Sequence, residues 1–403
     1  MQNRLALIFI LLTVMIDSIG VGLIFPVMPD LIEEVTGGTL SQAALWGGVL
    51  ATSYAAMQFV FGPVVGNLSD RYGRRPILLT ALAVMAVDYT VMAVAGTIWL
   101  LLVGRIVAGL TAATHATASA YIADISPPEE RGKNFGLVGA AFGVGFIAGP
   151  LLGSILSTID LRAPFWGAAI LAAANLAFGA FVLPESVTDR IRRPFSWRRA
   201  NPLASFRAIG QLPGLGRYLL LYFTYMVALF VYAEVWAYYG KARFGWDPWM
   251  IGVSLALYGA CMAVVQAFAV GPAIRVWGAR RTTLFGLWID LVALIFYGFV
   301  TSGPLALIFT PIAAVAGISE PAVKAIMSNA TPDNQQGELQ GVLGSLAAVA
   351  MGISPLIMTG TFAWFTGVNA PIYSPGAPFL LAAVLIVVCI AILVAPARAK
   401  TPA

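Results

Sequence analysis

Seven charged side chains lie within stretches of sequence that are otherwise strongly apolar. The chain is 60% hydrophobic and only 10% charged, whereas roughly 25% of the residues in a soluble domain carry a charge. A charge inside a bilayer is costly and therefore tends to mark an ion or substrate path. An acid in an apolar cavity can also load and release a proton near neutral pH, because desolvation disfavours the charged form. The alternative for each acid is a hydrogen-bonded structural role. The seven residues are Asp17, Asp88, Arg105, Glu234, Asp290, Glu320 and Lys324.

Twelve apolar segments must position these charges. A window of about 20 residues, the length that crosses a bilayer as a helix, finds six segments on each side of a polar gap. The first segment is longer than the apolar core of a signal peptide and contains Asp17, so we interpret it as a retained helix. The segments lie near 5–29, 45–68, 77–95, 98–121, 135–157, 164–183, 218–240, 249–273, 282–301, 304–327, 337–365 and 377–397.

The basic residues predict how these segments are oriented. With both termini in the cytoplasm, only Arg162, Lys241 and Arg243 fall on the outer side, as the preference of Lys and Arg for cytoplasmic loops requires. Their spread over alternate short loops argues against nucleic acid as a partner. The predicted domains are an amino-terminal six-helix bundle at 1–183, a basic cytoplasmic linker at 184–217 and a carboxy-terminal six-helix bundle at 218–403.

The two sets of six segments are related by an internal repeat. A step of 205 positions carries Gly66 to Gly271 and Gly73 to Gly278, and farther along it carries Gly136-Leu137-Val138-Gly139 to Gly341-Val342-Leu343-Gly344. Parallel repeats of six helices are one way in which transporters build a site between two rocking bundles. The sequence therefore predicts an all-α membrane protein with twelve transmembrane helices in two pseudo-symmetric six-helix bundles.

A basic stretch at 66–76 separates the second and third segments. It is interpreted as a tight cytoplasmic turn, bracketed by glycines and holding one acid, and is predicted to act as a gate between conformations. The simpler alternative is a loop that only sets the topology, which explains the arginines but not the acid and glycines at fixed spacing. The predicted gate residues are Gly66, Asp70, Arg71, Gly73, Arg74 and Arg75.

Motifs for enzyme chemistry and for cofactor binding are missing from the sequence. It contains no HExxH, P-loop or GxSxG motif, and the two cysteines form no CxxC pair. A single histidine, His115, cannot supply a metal cluster. The protein is therefore not expected to be an enzyme, to use a cofactor or metal, or to hydrolyse ATP, and an ion gradient is the expected energy source. A membrane-embedded, lipid-handling protein that uses His115 with nearby acids is the alternative.

Three motifs resemble those of a known family. The stretch 66–75, the run 101–109 and the run 139–153 resemble signature motifs of the major facilitator superfamily, and the last resembles the motif of its drug/proton antiporters. The segments 17–26, 243–246 and 335–337 resemble the tetracycline/proton antiporters. The antiporter motif contains Gly139, Gly143, Gly149, Pro150 and Gly153, which permit close helix approach and a local kink.

The resemblance implies a proton-coupled secondary transporter that exports a drug-like molecule, tetracycline-like or otherwise amphipathic, by alternating access through the inner membrane. Import of a small metabolite by proton symport is the runner-up. The expected partners are a small-molecule substrate, protons and the lipid bilayer, and a monomer is one of the states that the sequence allows. The family implies that Asp70 contacts the amino end of the eleventh helix. It also implies substrate recognition and proton coupling by Asp17, Gln58, Asp88, Arg105 and Asp290.

Met262 and Glu234 depart from the family pattern, and the only histidine, His115, lies in the fourth segment. Met262 stands where the best-known tetracycline antiporters have a histidine, so proton coupling must be arranged differently. His115 and Glu320 are equivalent in the repeat, and we hypothesise that they face one another and share in proton or substrate binding; the alternative pairs Glu320 with Lys324 on its own helix. Glu234, beside Trp236, Tyr238 and Tyr239, is either a binding residue for a cationic amphipathic ligand or part of an external aromatic belt.

Overall fold

The computed structural model describes residues 2–112, 114–188, 192–197, 200–203, 212, 214–332 and 335–395, and the side chains of residues 2–4, 115 and 128 lie outside the description. Within these residues every element is helical, and twelve helical segments are long and apolar enough to cross a membrane. Because the number of crossings is even, Gln2 and Val394, the outer ends of the first and last crossings, lie on one face, called here the termini face. The elements are α1 Gln2–Ile24, α2 Met28–Thr36, α3 Leu40–Tyr72, α4 Arg74–Val94, α5 Ile98–Thr111, α6 Thr114–Ile125, α7 Pro128–Ser157, α8 Ala163–Val182, α9 Gly216–Phe244, α10 Pro248–Phe268, α11 Val270–Trp277, α12 Ala279–Phe299, α13 Gly303–Val315, a 3₁₀ turn Ala316–Ile318, α14 Ser319–Asn329, α15 Gln336–Thr366 and α16 Ala377–Val394.

The repeat seen in the sequence is also a structural repeat. A step of 205 positions carries α4, Arg74–Val94, onto α12, Ala279–Phe299, and carries the start of α5 at Ile98 onto the start of α13 at Gly303. The fourth and tenth crossings are each interrupted, and the helices after the interruptions begin at Thr114 and Ser319, again 205 positions apart. Two six-helix bundles of one design are therefore confirmed.

The stretch at 66–76 is not the loop that the sequence suggested. Helix α3 continues to Tyr72 and α4 begins at Arg74, so a single residue, Gly73, separates them. Gly73 has φ +111°, and its repeat equivalent Gly278 has φ +76°, a region that side chains with a Cβ rarely adopt. Asp70 therefore lies on the last turn of a helix. Charge and glycine content suggested a loop, but a single positive-φ residue is sufficient to end one helix and begin the next.

A short amphipathic helix, α2, was not anticipated. The first crossing ends at Ile24 rather than at residue 29, and α2 starts with Pro29 in its first turn, a position that proline favours. Leu31 and Ile32 are buried, whereas the acids Asp30, Glu33 and Glu34 remain accessible. Helix α2 lies on the face opposite the termini.

The two bundles pack together toward that opposite face. Helix α3 packs along α15, and α7 packs along α10. A methyl group at Gly48 would lie 3.1 Å from the Pro355 carbonyl oxygen, and one at Gly252 would lie 2.5 Å from the Pro150 carbonyl oxygen, so these contacts leave no room for a side chain. All four residues belong to the ends of their helices that point away from the termini face.

Toward the termini face the same helices are accessible. Gly139 on α7, Gln266 on α10 and Gly344 on α15 are exposed, and a Cβ added at Gly139 or Gly344 would meet no described atom within 4 Å beyond its own helix. The bundles are therefore joined at the opposite face and separated at the termini face, as two rocking units would be in one of their end states.

Candidate substrate cavity

A cavity of about 270 Å³ lies between the two bundles. Its walls come mainly from α1, α3, α4 and α5 of the first bundle and from α9 of the second. Five of the residues predicted from sequence line it together: Asp17, Gln58, Asp88, Arg105 and Glu234. The rest of the lining is mostly apolar, with tyrosine side chains from both bundles. An apolar cavity with a few convergent polar groups is the usual form of a small-molecule site.

Asp88 and Arg105 form an ion pair at the wall of the cavity, from α4 and α5 respectively. Asp88 is buried and Arg105 is 14% exposed. A Cβ at Gly104 would lie 2.8 Å from Asp88 Oδ1, so glycine at position 104 lets the carboxylate pack closely against α5. The Arg105 guanidinium also lies over the Tyr54 ring, 5.6 Å from its centroid, within the range of a cation–π contact. The charge of Arg105 is therefore compensated locally.

Asp17 enters the cavity from α1 without a basic partner. None of the ion pairs formed within the described residues includes it. Tyr54 and Tyr89 are close enough to interact with its charge, and the Tyr89 hydroxyl packs against Gly20, one turn farther along α1. Asp17 is a half-buried acid surrounded by phenol rings rather than by cations.

Gln58 connects the cavity to the interruption in the fourth crossing. Its side-chain amide donates a hydrogen bond of 3.1 Å to the Ala112 carbonyl oxygen, which lies just after the end of α5. An interrupted helix leaves carbonyl groups without helical partners, and Gln58 satisfies one of them. Thr114, the first residue of α6, also lines the cavity. The next residue is His115, whose side chain lies outside the described part of the chain, so its predicted approach to Glu320 stays a prediction.

Glu234 lies on the cavity wall and not in an aromatic belt at the membrane surface. Ala233, Ala237 and Tyr238 line the same cavity. The other two aromatic neighbours proposed from sequence point elsewhere: Trp236 Nε1 donates to Ser254 Oγ at 2.8 Å, and the Tyr239 hydroxyl donates to the Tyr297 carbonyl at 2.5 Å. Only Tyr238 of the three aromatic residues is therefore available beside Glu234 in this cavity.

Asp290 belongs to a separate cluster inside the second bundle. It is 3% exposed and is not among the residues that line the cavity. Asp290 Oδ2, the Tyr225 hydroxyl and Ser319 Oγ are all buried without a hydrogen-bond partner among the described atoms. Tyr225 nevertheless lies near both Asp290 and Ser319, and Ser319 packs on Gly286, one turn before Asp290. Three polar groups from three helices thus meet in an apolar interior.

Glu320 pairs with its own helix. Its Oε1 lies 2.6 Å from Lys324 Nζ, and the two side chains are 36% and 40% exposed. The ammonium group of Lys324 also lies 5.7 Å from the centroid of the Tyr222 ring. This is the i,i+4 pair that the sequence analysis gave as the alternative to Glu320 facing His115.

The predicted gate residues hold several helix ends of the first bundle together. Asp70 pairs with Arg74 at 2.6 Å, and Arg74 reaches Asp124 at the end of α6 at 3.2 Å. Arg75 donates to the Ala180 carbonyl on α8 at 2.7 Å. Arg71 lies over the adjacent Tyr72 ring.

An acid just after α8 completes this arrangement. Glu185 accepts hydrogen bonds from the backbone N–H groups of Arg74 and Arg75, at 2.8 and 3.2 Å, where a negative charge at a helix amino end is favourable. Sequence reasoning missed Asp124 and Glu185, because nothing in the local pattern links them to the 66–76 stretch. In this conformation the motif ties α3, α4, α6 and α8 to one another.

The glycines of the antiporter motif divide into two groups. A Cβ at Gly149 would lie 2.8 Å from the Gly22 Cα, and one at Gly153 would lie 2.8 Å from the Leu23 carbonyl carbon. Helix α7 therefore approaches α1 closely at these positions, with Pro150 between them. Gly139 and Gly143 meet no described atom within 4 Å beyond their own helix, since they lie on the half of α7 that the second bundle does not cover.

An ion cluster at the opposite face joins the bundles. Lys241 Nζ, near the end of α9, contacts Asp30 and Glu33, both on α2. The side chains are 23% to 30% exposed. Sequence reasoning assigned Lys241 to the outer side but did not connect it with α2. The three-residue spacing of the two acids, which puts them on one face of a helix, was the available signal.

Comparisons with known proteins agree with this architecture. The family model described as Major Facilitator Superfamily matches residues 10–240. The class C tetracycline resistance protein of Escherichia coli is 40% identical, over 97% of this chain and 96% of that protein. The class G protein of Vibrio anguillarum is 38% identical over 98% of each.

Among solved structures, the human organic anion transporter MFSD10 (TETRAN) aligns over 97% of this chain and 99% of that chain, with a TM-score of 0.71 and 23% identity. A bacterial homologue of the human lysosomal transporter Spinster, solved in an inward-facing and unoccupied conformation, covers 97% and 96% with a TM-score of 0.73 and 17% identity. At these identities the likeness concerns the fold. The repeat, the motifs and the matches together show that the chain belongs to the Major Facilitator Superfamily.

Proposed function

We propose that this protein exports a drug-like small molecule, tetracycline-like or otherwise amphipathic, in exchange for protons. It is a transporter rather than an enzyme. The observation that carries the proposal is the cavity between the two bundles, which brings four ionisable residues and Gln58 together inside a membrane-spanning protein. Charges at that depth are expected on a path for ions or substrate. The tetracycline resistance proteins to which the chain is 34–40% identical over most of its length support export and the drug class.

The mechanism that we propose is alternating access in a bacterial inner membrane, with both termini in the cytoplasm. In that orientation the separated ends of the bundles face the cytoplasm, and the joined ends face outward. An exporter loads cargo from the cytoplasm, so this conformation is the loading state. Rocking of the predicted domains 1–183 and 218–403 about the cavity, with 184–217 as the linker, would then release cargo on the other side.

In this mechanism Asp17, Gln58, Arg105 and Glu234 bind cargo, together with Asp290 once the bundles move. Asp17, Asp88 and Asp290 carry protons, and His115 and Glu320 assist. A carboxylate that meets a proton in one state and cargo or a cation in the other couples their fluxes by mass action. The predicted gate residues serve as the cytoplasmic gate: they hold the first bundle rigid in this conformation and meet the second bundle in the outward-facing state. They are Gly66, Asp70, Arg71, Gly73, Arg74 and Arg75.

Proton movement in proteoliposomes of known orientation tests this function. Tetracycline and a panel of amphipathic compounds are added on one side, and an internal pH dye reports proton flux for the parent and for Asp290→Asn. We expect substrate-driven proton movement in the parent and at least a tenfold loss in the variant. Glu130→Gln, which removes an exposed acid in the first turn of α7, is the matched control. If no compound moves protons in the parent, drug/proton antiport is wrong.

Import of a small metabolite is the second candidate, and the same liposomes distinguish it. In a symporter, cargo and protons cross in the same direction, so cargo added outside acidifies the lumen. In an antiporter, cargo entering the lumen makes it alkaline. The sign of the pH change therefore decides between the two transport modes.

A further inference from the structure

The cavity has three acids and one basic residue in its lining. Among its lining residues Asp88 and Arg105 cancel one another. Two acids, Asp17 and Glu234, remain, and neither takes part in an ion pair or hydrogen bond within the part of the chain that the structure describes. A cavity whose unpaired ionisable groups are both acids favours cations over anions, because a bound cation stabilises the ionised form of each acid.

The two acids stand on different bundles. Asp17 is on α1 and Glu234 is on α9, so a cation held between them contacts both moving units at once. The cavity that both acids line is bounded by apolar side chains such as Val21, Leu50 and Met85 and by the rings of Tyr54 and Tyr238. Tyrosine faces attract cations as well. The surroundings therefore suit a positive charge on a largely apolar body.

A second, smaller cavity extends the apolar surface beside Glu234. It has a volume of about 20 Å³ and shares Phe25, Ala233 and Ala237 with the main cavity. Phe146, Trp236 and Leu255 complete its walls. Ala233 and Ala237 lie on either side of Glu234 on the same helix, so the apolar recess begins within about one helical turn of Glu234 along the helix axis. The recess is large enough only for a methyl-sized group, so it adds apolar surface to the wall of the main cavity.

A metal ion does not suit the site between Asp17 and Glu234. Hard cations such as Mg²⁺ and Ca²⁺ take six or more oxygen ligands, and no group of three or more potential metal-binding side chains occurs among the described residues. Two carboxylates on separate bundles with apolar walls between them do not form such a coordination shell.

We propose that Glu234 is the specificity-determining residue for lipophilic organic cations, which bind with the charge between Glu234 and Asp17 and with their apolar groups against the apolar walls of the main cavity. This inference rests on the proposed export function and names a substrate class for the same cavity. Asp17 attracts the cation, and Glu234 together with the apolar lining of the main cavity selects a bulky apolar cation over a small hydrated one.

Binding of tetraphenylphosphonium to the purified protein tests the assignment. The probe is titrated into parent, Glu234→Gln and Glu234→Asp in lipid nanodiscs, and free probe is measured with a selective electrode. We expect Glu234→Gln, which keeps the shape of the side chain, to weaken binding at least tenfold, and Glu234→Asp to retain much of it. Glu338→Gln, an exposed acid in the first turn of α15, should bind like the parent. Tetramethylammonium, which lacks the apolar groups, should bind far more weakly to every variant.

Two outcomes separate this inference from the proposed function. If tetracycline moves protons in the parent but tetraphenylphosphonium either fails to bind or binds equally to Glu234→Gln, the cation assignment is overturned and export stands. If tetraphenylphosphonium binds in a Glu234-dependent manner but no compound moves protons, the cation site stands and the proposed antiport fails. Size-exclusion profiles of the variants show whether each is folded.

Discussion

The third and ninth crossings, α4 and α12, are equivalent helices that use a buried acid in opposite ways. Asp88 on α4 and Asp290 on α12 are 4% and 3% exposed. Asp88 faces the cavity and pairs with Arg105. Adding 205 to 105 gives 310, where the second bundle has Thr310, whose hydroxyl donates to Ala306 on its own helix. The second bundle therefore lacks the cation that compensates the acid in the first.

This difference indicates that the two repeats use their buried acids for different functions. A paired buried charge is costly to break, because removing one partner leaves the other uncompensated. A buried acid with no cation partner is instead the kind of group that gains and loses a proton as its surroundings change. On this view Asp88 in the first bundle takes up a proton only when its pair with Arg105 opens, whereas Asp290 in the second bundle can do so without breaking an ion pair.

The largest expected effect is a contrast in stability between two isosteric substitutions. Asp88→Asn leaves Arg105 without a counter-charge and should cost about 3 kcal/mol or more of the free energy of unfolding. Asp290→Asn removes an uncompensated acid and should leave stability unchanged or slightly raised, while abolishing proton coupling. Thermal unfolding in detergent, recorded beside proton flux in liposomes, measures both. Equal losses of stability in the two variants would contradict the comparison.

A smaller effect is expected where the two bundles are tied together at the opposite face. Lys241→Met removes both contacts with α2, and partly exposed ion pairs contribute about 0.2–1 kcal/mol each. The closed opposite face should therefore open severalfold more often, as reported by spin-label distances between α2 and the end of α9. Arg162→Met is the matched control, because Arg162 pairs with Glu34 at 2.8 Å within the first bundle. An identical distance distribution in parent and Lys241→Met would show that this cluster does not hold the bundles together.

The smallest expected effect on stability concerns Glu320 and Lys324. An exposed i,i+4 pair contributes about 0.3–0.5 kcal/mol, so Glu320→Gln and Lys324→Met should both unfold close to the parent. Their transport should differ: we expect Glu320→Gln to lower substrate-driven proton flux and Lys324→Met to leave it near the parent level. His115→Gln belongs to the same experiment, since His115 is the repeat equivalent of Glu320. If both Glu320→Gln and His115→Gln transport normally, their predicted share in proton coupling is wrong.

Much of the fold followed from local patterns alone. Apolar segments of membrane-spanning length and a 205-residue repeat were sufficient to predict twelve helices in two bundles. A helix in a bilayer satisfies its own backbone hydrogen bonds, so its hydrophobicity alone identifies it in the sequence. The same rarity of charges in apolar segments identified Asp17, Asp88, Arg105 and Glu234 before any geometry was known. The boundaries were less accurate: Gly73 alone separates α3 from α4, and α2 is too short and too polar to register as an apolar segment.

Tertiary structure decided which of these charges meet. Asp88 and Arg105 pair across two helices, Asp290 lies in its own cluster with Tyr225 and Ser319, and Glu234 lies on the cavity wall while Trp236 packs into the bundle. Lys241 contacts Asp30 and Glu33, which lie more than 200 positions away in the chain. Spacing along one helix gives the direction of a side chain relative to its neighbours on that helix. Which side chain it meets on another helix depends on how helices distant in sequence pack. That packing is set by many small contacts, such as those at Gly48, Gly149 and Gly252, that no local pattern encodes.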